Sequence, residues 1–216
     1  MAKKIPKGQI NKKNKQTLKA LTNLMKDLNE KYSIRVGIIG DAAYQKHPHT
    51  DLTNAELGAI HEYGATIQVT EKMRNYLHTI GIHLKPETTT VVIPTRSFLR
   101  MPLLSGEFKE HLLTGTGLKE NKDFEGVKGD AAREYNLDLA KIKQESDPEI
   151  MKKIATWIAA EAELRVMDAF NTGGFGNWAA ISEVTKKNRQ GAPDNPPLDD
   201  TGDLRESISS QVKRVK

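Results

Sequence analysis

The chain has 216 residues, of which 37% are apolar and 28% charged, and its net charge is +5. This length suits one domain with insertions or two small domains. The absence of cysteine excludes disulfides, thiolate metal sites and thiol nucleophiles. No apolar run approaches the ~20 residues that span a bilayer, and the basic N-terminus lacks the apolar stretch of a signal peptide. The sequence therefore predicts a soluble product of the reducing cytoplasm.

Positive charge is concentrated at the two ends of the chain. Eight lysines precede the first acidic residue, Asp27, and three cations lie among the last four residues. Residues 1–14 are rich in polar residues and predict a flexible basic arm. Such an arm is either a solvated tail without a specific partner or a non-specific contact for a polyanion such as DNA. The candidate contact residues in the arm and directly after it are Lys3, Lys4, Lys7, Lys12, Lys13 and Lys15.

The first half of the chain predicts helices that alternate with short strands. Apolar residues between Leu18 and Leu28 recur at helical spacing and predict a first long helix. The segment Thr53-Asn54-Ala55-Glu56 is a capping box, which begins a short helix that Gly64 ends. Strands are predicted at 34–38, 66–70 and 91–93, and an amphipathic helix at 71–81.

The second half predicts a second long helix and a last strand. Asp147 followed by Pro148 is a cap with proline at the first helical position. An apolar stripe then runs from Ile150 to Phe170, and residues 208–212 alternate as a strand. The irregular order of helices and strands predicts an α+β fold, with a small, mainly antiparallel sheet packed against two long helices. We expect a single domain over 15–216 with insertions at 71–90 and 105–147, the second partly mobile.

Candidate metal and phosphate sites are weak. His47, His49 and Asp51 lie close together in a loop that supplies no further ligand, so a polar loop is favoured over a metal-dependent hydrolase site. His61-Glu62 begins like a zinc-protease helix, but Ala65 stands where the second histidine is needed. The glycine-rich segment 172–176 follows a helix and lacks a Gly-Lys-Ser/Thr end, which is typical of a helix terminus. We therefore expect no catalytic residue, metal or cofactor.

Five short motifs follow one another in an order that resembles one protein family. They are Val36-Gly37-Ile38, Ala59-Ile60-His61-Glu62-Tyr63-Gly64-Ala65, Ile93-Pro94-Thr95-Arg96-Ser97-Phe98-Leu99-Arg100, Asn177-Trp178 with Ile181 and Thr185-Lys186-Lys187, and the segment from Pro197 to Ile208 that contains Thr201-Gly202-Asp203-Leu204. On these motifs the chain resembles the virion morphogenesis and tail-completion proteins of long-tailed bacteriophages. The resemblance covers roughly 15–104 and 148–212. The chain departs from it at Ser97, where many relatives have proline, and in its greater length.

The resemblance implies a structural, non-enzymatic protein of the phage neck. Relatives form rings that complete the tail tube and meet the connector beneath the head, which implies a six-fold ring through which DNA passes. The implied partners are further copies of the chain, neighbouring neck, connector and tail-tube proteins, and genomic DNA contacted non-specifically. The implied location is the virion, after assembly in the host cytoplasm.

Most of the motif residues are expected to determine the fold. We expect Phe98 and Leu99 to fill the core, while Arg96 and Arg100 remain outside it and available to DNA or a partner. The predicted fold-determining residues are Gly64, Pro94, Phe98, Leu99, Trp178, Thr201 and Gly202. The alternative function is a basic nucleic-acid-binding protein, suggested by the cationic ends.

Overall fold

The computed structural model describes residues 26, 28–48, 50–114 and 148–215. These residues form four strands and eight complete helices, which confirms the predicted α+β class. The strands are β1 (Tyr32–Ile38), β2 (Ala65–Gln68), β3 (Thr90–Ile93) and β4 (Ile208–Arg214). The helices are α1 (Asp41–Tyr44), α2 (Asn54–Tyr63), α3 (Glu71–Thr79), α4 (Arg100–Leu104), α5 (Gly106–Thr114), α6 (Pro148–Asn171), α7 (Glu183–Asn188) and α8 (Asp203–Glu206).

Only part of the predicted pair of long helices lies in the described residues. The second is α6, which has 24 residues and begins at Pro148, as the sequence predicts. Of the first, Lys26 and residues 28–31 are helical, while 18–25 lie outside the described residues, as does the predicted basic arm 1–14. None of the described helices is long and apolar enough to cross a membrane.

The four strands form two separate two-stranded sheets. In one, β1 pairs with β4, and the backbone N–H of Val215 donates to the carbonyl oxygen of Lys31 at 2.8 Å. In the other, β2 pairs antiparallel with β3 in a register that places Ala65 opposite Ile93. Few backbone groups are therefore satisfied by sheet pairing, and side-chain packing must hold the elements together.

The described residues divide into two compact units. The first unit contains the described residues of 1–35, 119–159 and 211–216, and the second those of 36–118 and 160–210. The prediction of a single domain over 15–216 stays a prediction. The first unit has its own apolar cluster, in which Leu28, Ile154 and Ala155 are buried and Val212 packs against them.

The second unit is centred on aromatic packing. Phe98 and Phe170 are fully buried with ring centroids 5.1 Å apart, and Trp178 lies edge-on to Phe170 at 5.9 Å. Val166, Leu204 and Ile208 complete the buried cluster. Burial of each large apolar side chain contributes about 1.5–3 kcal/mol, so this cluster is the main source of the second unit's stability.

The segment predicted as an insertion at 71–90 connects β2 to β3. Its helix α3 starts after Thr70, whose hydroxyl accepts from the Met73 backbone N–H at 3.1 Å. The Arg74 guanidinium then donates to four carbonyl oxygens of the following loop. These belong to Leu84 (3.2 Å), Lys85 (2.9 Å), Pro86 (3.5 Å) and Thr88 (2.7 Å). We call residues 65–93 the β2–β3 arm, and Arg74 is the side chain that fixes its loop.

Replacing Arg74 with glutamine is expected to loosen this loop. Hydrogen bonds from a charged donor are stronger than neutral ones, and the substitution removes all four. Hydrogen exchange of the 82–88 amides should accelerate about tenfold, which corresponds to a local loss of ~1.4 kcal/mol. Lys72→Gln, an exposed change on the same helix, is the control, and equal exchange in the two variants would contradict the role of Arg74.

The first ten residues of the predicted 105–147 insertion contribute to the packing of the second unit. Phe108 on α5 is 4% exposed. The Glu107 carboxylate accepts from Arg165 on α6 at 2.9 Å, and His111 contacts Glu161 at 2.7 Å. The remainder of this predicted insertion, residues 115–147, lies outside the described residues.

Candidate functional site

The last turn of α2 holds a carboxylate that is only 3% exposed, that of Glu62. Its Oε2 accepts from the backbone N–H groups of Phe98 at 2.8 Å and Leu99 at 2.9 Å. Its Oε1 accepts from the Ser97 hydroxyl at 2.7 Å and from the backbone N–H and Nε of Arg100 at 3.0 and 2.9 Å. Five donors therefore converge on one buried carboxylate.

The Glu62 carboxylate satisfies backbone donors at the start of α4. The N–H groups at the start of a helix have no partner within it. Leu99, the N-cap of α4, offers no side-chain acceptor, and the Ser97 hydroxyl accepts from the Met101 N–H alone, at 2.9 Å. Burial acts to raise the pKa of Glu62, but hydrogen bonds from Leu99, Ser97 and Arg100 outweigh it and hold that pKa below the ordinary value. Glu62 is therefore ionised at neutral pH, with little access left for a substrate.

A third segment joins the same place through Arg96 and Trp178. Arg96 donates from Nε and Nη2 to the Ala179 carbonyl oxygen at 3.2 and 3.1 Å. The Trp178 indole N–H donates to the Ser97 carbonyl oxygen at 3.3 Å. We call Glu62, residues 96–100 and residues 178–179 the Glu62 junction. It ties the end of α2, the entry to α4 and the loop after α6 together.

The expectation that both junction arginines lie outside the core is wrong for Arg96. This side chain is buried, with 8% of the residue exposed, because the Ala179 carbonyl oxygen satisfies its guanidinium inside the fold. Arg100 is half-exposed and stacks over the Tyr63 ring at 4.3 Å while it holds Glu62. Of the two, only Arg100 presents a surface to a partner.

The other predicted fold-determining residues around the junction lie where packing requires them. Phe98 is fully buried and Leu99 packs against the same cluster. Gly64 ends α2 with φ +75, and a Cβ there would lie 3.0 Å from the Ile93 carbonyl oxygen. Pro94 directly follows the last residue of β3, where its missing N–H removes no ladder bond.

The predicted turn at Thr201-Gly202 leads into α8 before the last strand. Gly202 has φ +90, a left-handed conformation that favours glycine. The Thr201 hydroxyl donates to the carboxylate of Asp203. The turn thereby places Leu204 and Ile208 in the buried cluster of the second unit.

A half-buried histidine, His61, lies beside the junction. The Nδ1 of His61 is buried and has no hydrogen-bond partner among the described residues, while the His61 carbonyl oxygen accepts from the Arg96 backbone N–H at 2.7 Å. Burial lowers the pKa of His61 to about 4, and the charges of Arg96 and His47 act in the same direction. His61 is therefore neutral at physiological pH.

The candidate metal ligands are engaged elsewhere or lie outside the described residues. His47 Nδ1 contacts Asn54 Oδ1 at 2.9 Å, and Asp51 accepts from Lys46 at 3.4 Å. His49 is outside the described residues. Within the part of the chain that the structure describes, no three His, Asp or Glu side chains are grouped to hold a metal ion.

Glu62 is the centre of the junction but is not among the predicted site residues. One local signal was present: an acidic residue in the last turn of a helix faces the negative end of the helix dipole, an unfavourable position unless other donors compensate. The six N-terminal lysines proposed as DNA contacts lie outside the described residues.

Comparisons of the chain with protein-family models, with curated proteins and with solved structures give no match.

Proposed function

We propose that the chain is a structural component of the neck of a long-tailed bacteriophage, which completes the tail and joins it to the head connector. The Glu62 junction is the observation that carries this proposal. Three of the five motifs on which the resemblance rests meet there, through Glu62, through 96–100 and through Trp178. The other two motifs supply Val36, Ile38, Leu204 and Ile208 to the adjoining core cluster.

This convergence supports the proposal because the motifs act as one physical set. A short motif matches by chance easily, and five unrelated matches have no reason to contact one another in the fold. Here each motif has a packing or hydrogen-bonding role that depends on at least one other motif. The Glu62 carboxylate already has five donors and almost no exposure, so its arrangement suits a fixed scaffold, in keeping with a non-enzymatic role.

The proposed assembly is a six-fold ring built from one repeated heterologous contact. The β2–β3 arm is the surface that we assign to the neighbouring subunit. It exposes large apolar side chains, with Val92 67%, Tyr76 63% and Ile67 37% exposed. A two-stranded sheet gains stability from further packing, and a second copy of the chain supplies it.

The location of the chain in purified virions tests this proposal. Immunogold electron microscopy should label the junction of head and tail, and quantitative mass spectrometry should find about six copies per particle, as closure of a ring requires. Absence from purified virions, or labelling along the whole tail, would contradict a neck component. Labelling with an antibody to a major tail protein serves as the positional control.

A further inference from the structure

The two compact units carry opposite net charge. The described residues of the first unit contain seven Lys or Arg and two Glu, a balance of +5, whereas those of the second contain twelve Lys or Arg and seventeen Asp or Glu, a balance of −5. Most cations of the first unit make no ion pair with another described side chain. The exposed side chains that make no ion pair with another described residue are Arg35, Lys152, Lys153, Lys213 and Arg214.

The first unit also contains an open groove of about 390 Å³. Lys152 comes from α6 and Arg214 from β4, and both line the groove. Tyr32 lines it from β1, and its hydroxyl donates to the Pro148 carbonyl oxygen at 3.0 Å. Val212 and Thr156 complete the lining. Two cations that make no ion pair with a described side chain therefore line a concave surface, and regular elements supply its other walls.

We propose that this groove binds the phosphate backbone of nucleic acid, with Lys152 and Arg214 as the phosphate contacts. Lysine and arginine side chains release condensed counterions when they neutralise phosphates, which drives binding without base recognition. One aromatic side chain lines the groove. We therefore expect the groove to contact the phosphate backbone of the nucleic acid and not to stack against successive bases. This inference concerns the body of the chain and does not depend on the neck assignment.

The distribution of charge favours nucleic acid over an acidic peptide. Cations come from every described element of the first unit, namely the helical residues 26 and 28–31, β1, β4 and the start of α6. A ligand with evenly repeated charge, such as duplex DNA with one charge per ~1.7 Å, matches a surface that is basic throughout. An acidic protein side chain would instead be bound by a local cluster of charged and polar hydrogen-bond donors.

Fluorescence anisotropy with a labelled 30-base-pair duplex at 50–200 mM salt tests the proposal. All chains in the test carry glutamine at Lys3, Lys4, Lys7, Lys12, Lys13 and Lys15, so that the N-terminal lysines do not mask the groove. The Lys152→Gln/Arg214→Gln double variant should bind about 10- to 60-fold more weakly at 0.1 M salt. Its slope of log K against log salt should be smaller by about 2, because two phosphate contacts are lost.

The matched control is Lys72→Gln/Lys109→Gln, which removes the same charge from exposed positions of the second unit. It should change affinity by less than about threefold, since neither lysine lines the groove and exposed charges are screened by salt. Equal weakening in the two variants, or no duplex binding at 50 mM salt, would overturn the proposal. Polyglutamate that binds with the same groove dependence while duplex DNA does not would also overturn it, in favour of an acidic protein.

A second measurement uses the chain without substitutions and so does not depend on the folding of a variant. Saturating duplex DNA should protect Lys152 from acetylation by an amine-reactive reagent at least several-fold, while Lys109 reacts at an unchanged rate. Equal reactivity of Lys152 with and without DNA would rule the groove out as the binding site.

Discussion

Replacing Glu62 with alanine is expected to lower the free energy of unfolding by about 3–5 kcal/mol. The substitution leaves the Phe98 and Leu99 N–H groups without their acceptor in the buried end of α4, and it removes the partner of Arg100. Breaking a buried ionic network by removing one partner has a cost of this size. Urea unfolding followed by circular dichroism at pH 7 measures it.

Two variants separate the role of the Glu62 carboxylate from a general effect of changing α2. Glu62→Gln keeps the shape but replaces one acceptor oxygen with a donor, so it should lose part of the stability that the alanine variant loses. Glu56→Ala removes an exposed carboxylate from the first turn of the same helix and should have a much smaller effect. If the Glu56 and Glu62 alanine variants were equally destabilised, the hydrogen bonds of the buried Glu62 carboxylate would not be the cause of the loss.

The second large effect is a loss of stability in acid that depends on His61. Its pKa in the fold is about 4, below the ordinary value near 6.5, so between these values the unfolded chain binds the extra proton. Stability is therefore fully present above about pH 6.5 and decreases as the pH falls toward 4. The expected loss across this window is about 2–3 kcal/mol, since one pKa unit corresponds to ~1.4 kcal/mol. The lowered pKa of Glu62 adds a further loss of stability, which begins as the pH falls below about 4.5.

Urea unfolding at pH 4.5, 5.5, 6.5 and 7.5 gives the His61 contribution directly. In His61→Gln the stability should vary less over this range than in the unsubstituted chain, because the buried titrating group is gone. His78→Gln changes an exposed histidine on α3 and should leave the pH dependence as it was. An unchanged profile in His61→Gln would show that another group controls acid stability.

Local features of the fold could be predicted from the sequence because their causes are local. The capping box at Thr53 forms as expected, with reciprocal hydrogen bonds to Glu56 at 3.2 and 2.8 Å. Helix α6 also begins at Pro148 and helix α2 ends at Gly64, as the sequence predicts. Each of these signals lies within four residues of the feature that it determines.

The Glu62 junction could not be predicted in the same way, because its partners are distant in sequence. Glu62 is bound by residues 35 to 38 positions away, and Arg96 by Ala179, 83 positions away. A charged side chain is normally exposed, so the sequence alone predicts that Arg96 lies outside the core. Its buried position depends on a carbonyl oxygen from a distant segment, and the sequence does not reveal that partner. The pairing of the strands in two sheets also depends on contacts between distant segments. The alternation of apolar and polar residues within a strand does not determine which strands pair.

The most direct test of the neck assignment is electron microscopy of phage particles made without this chain. Interrupting its gene should give lysates in which DNA-filled heads accumulate beside separate, complete-looking tails, and supplying the chain from a plasmid should restore joined particles. Intact, infectious virions in the absence of the chain would contradict its role in joining head to tail.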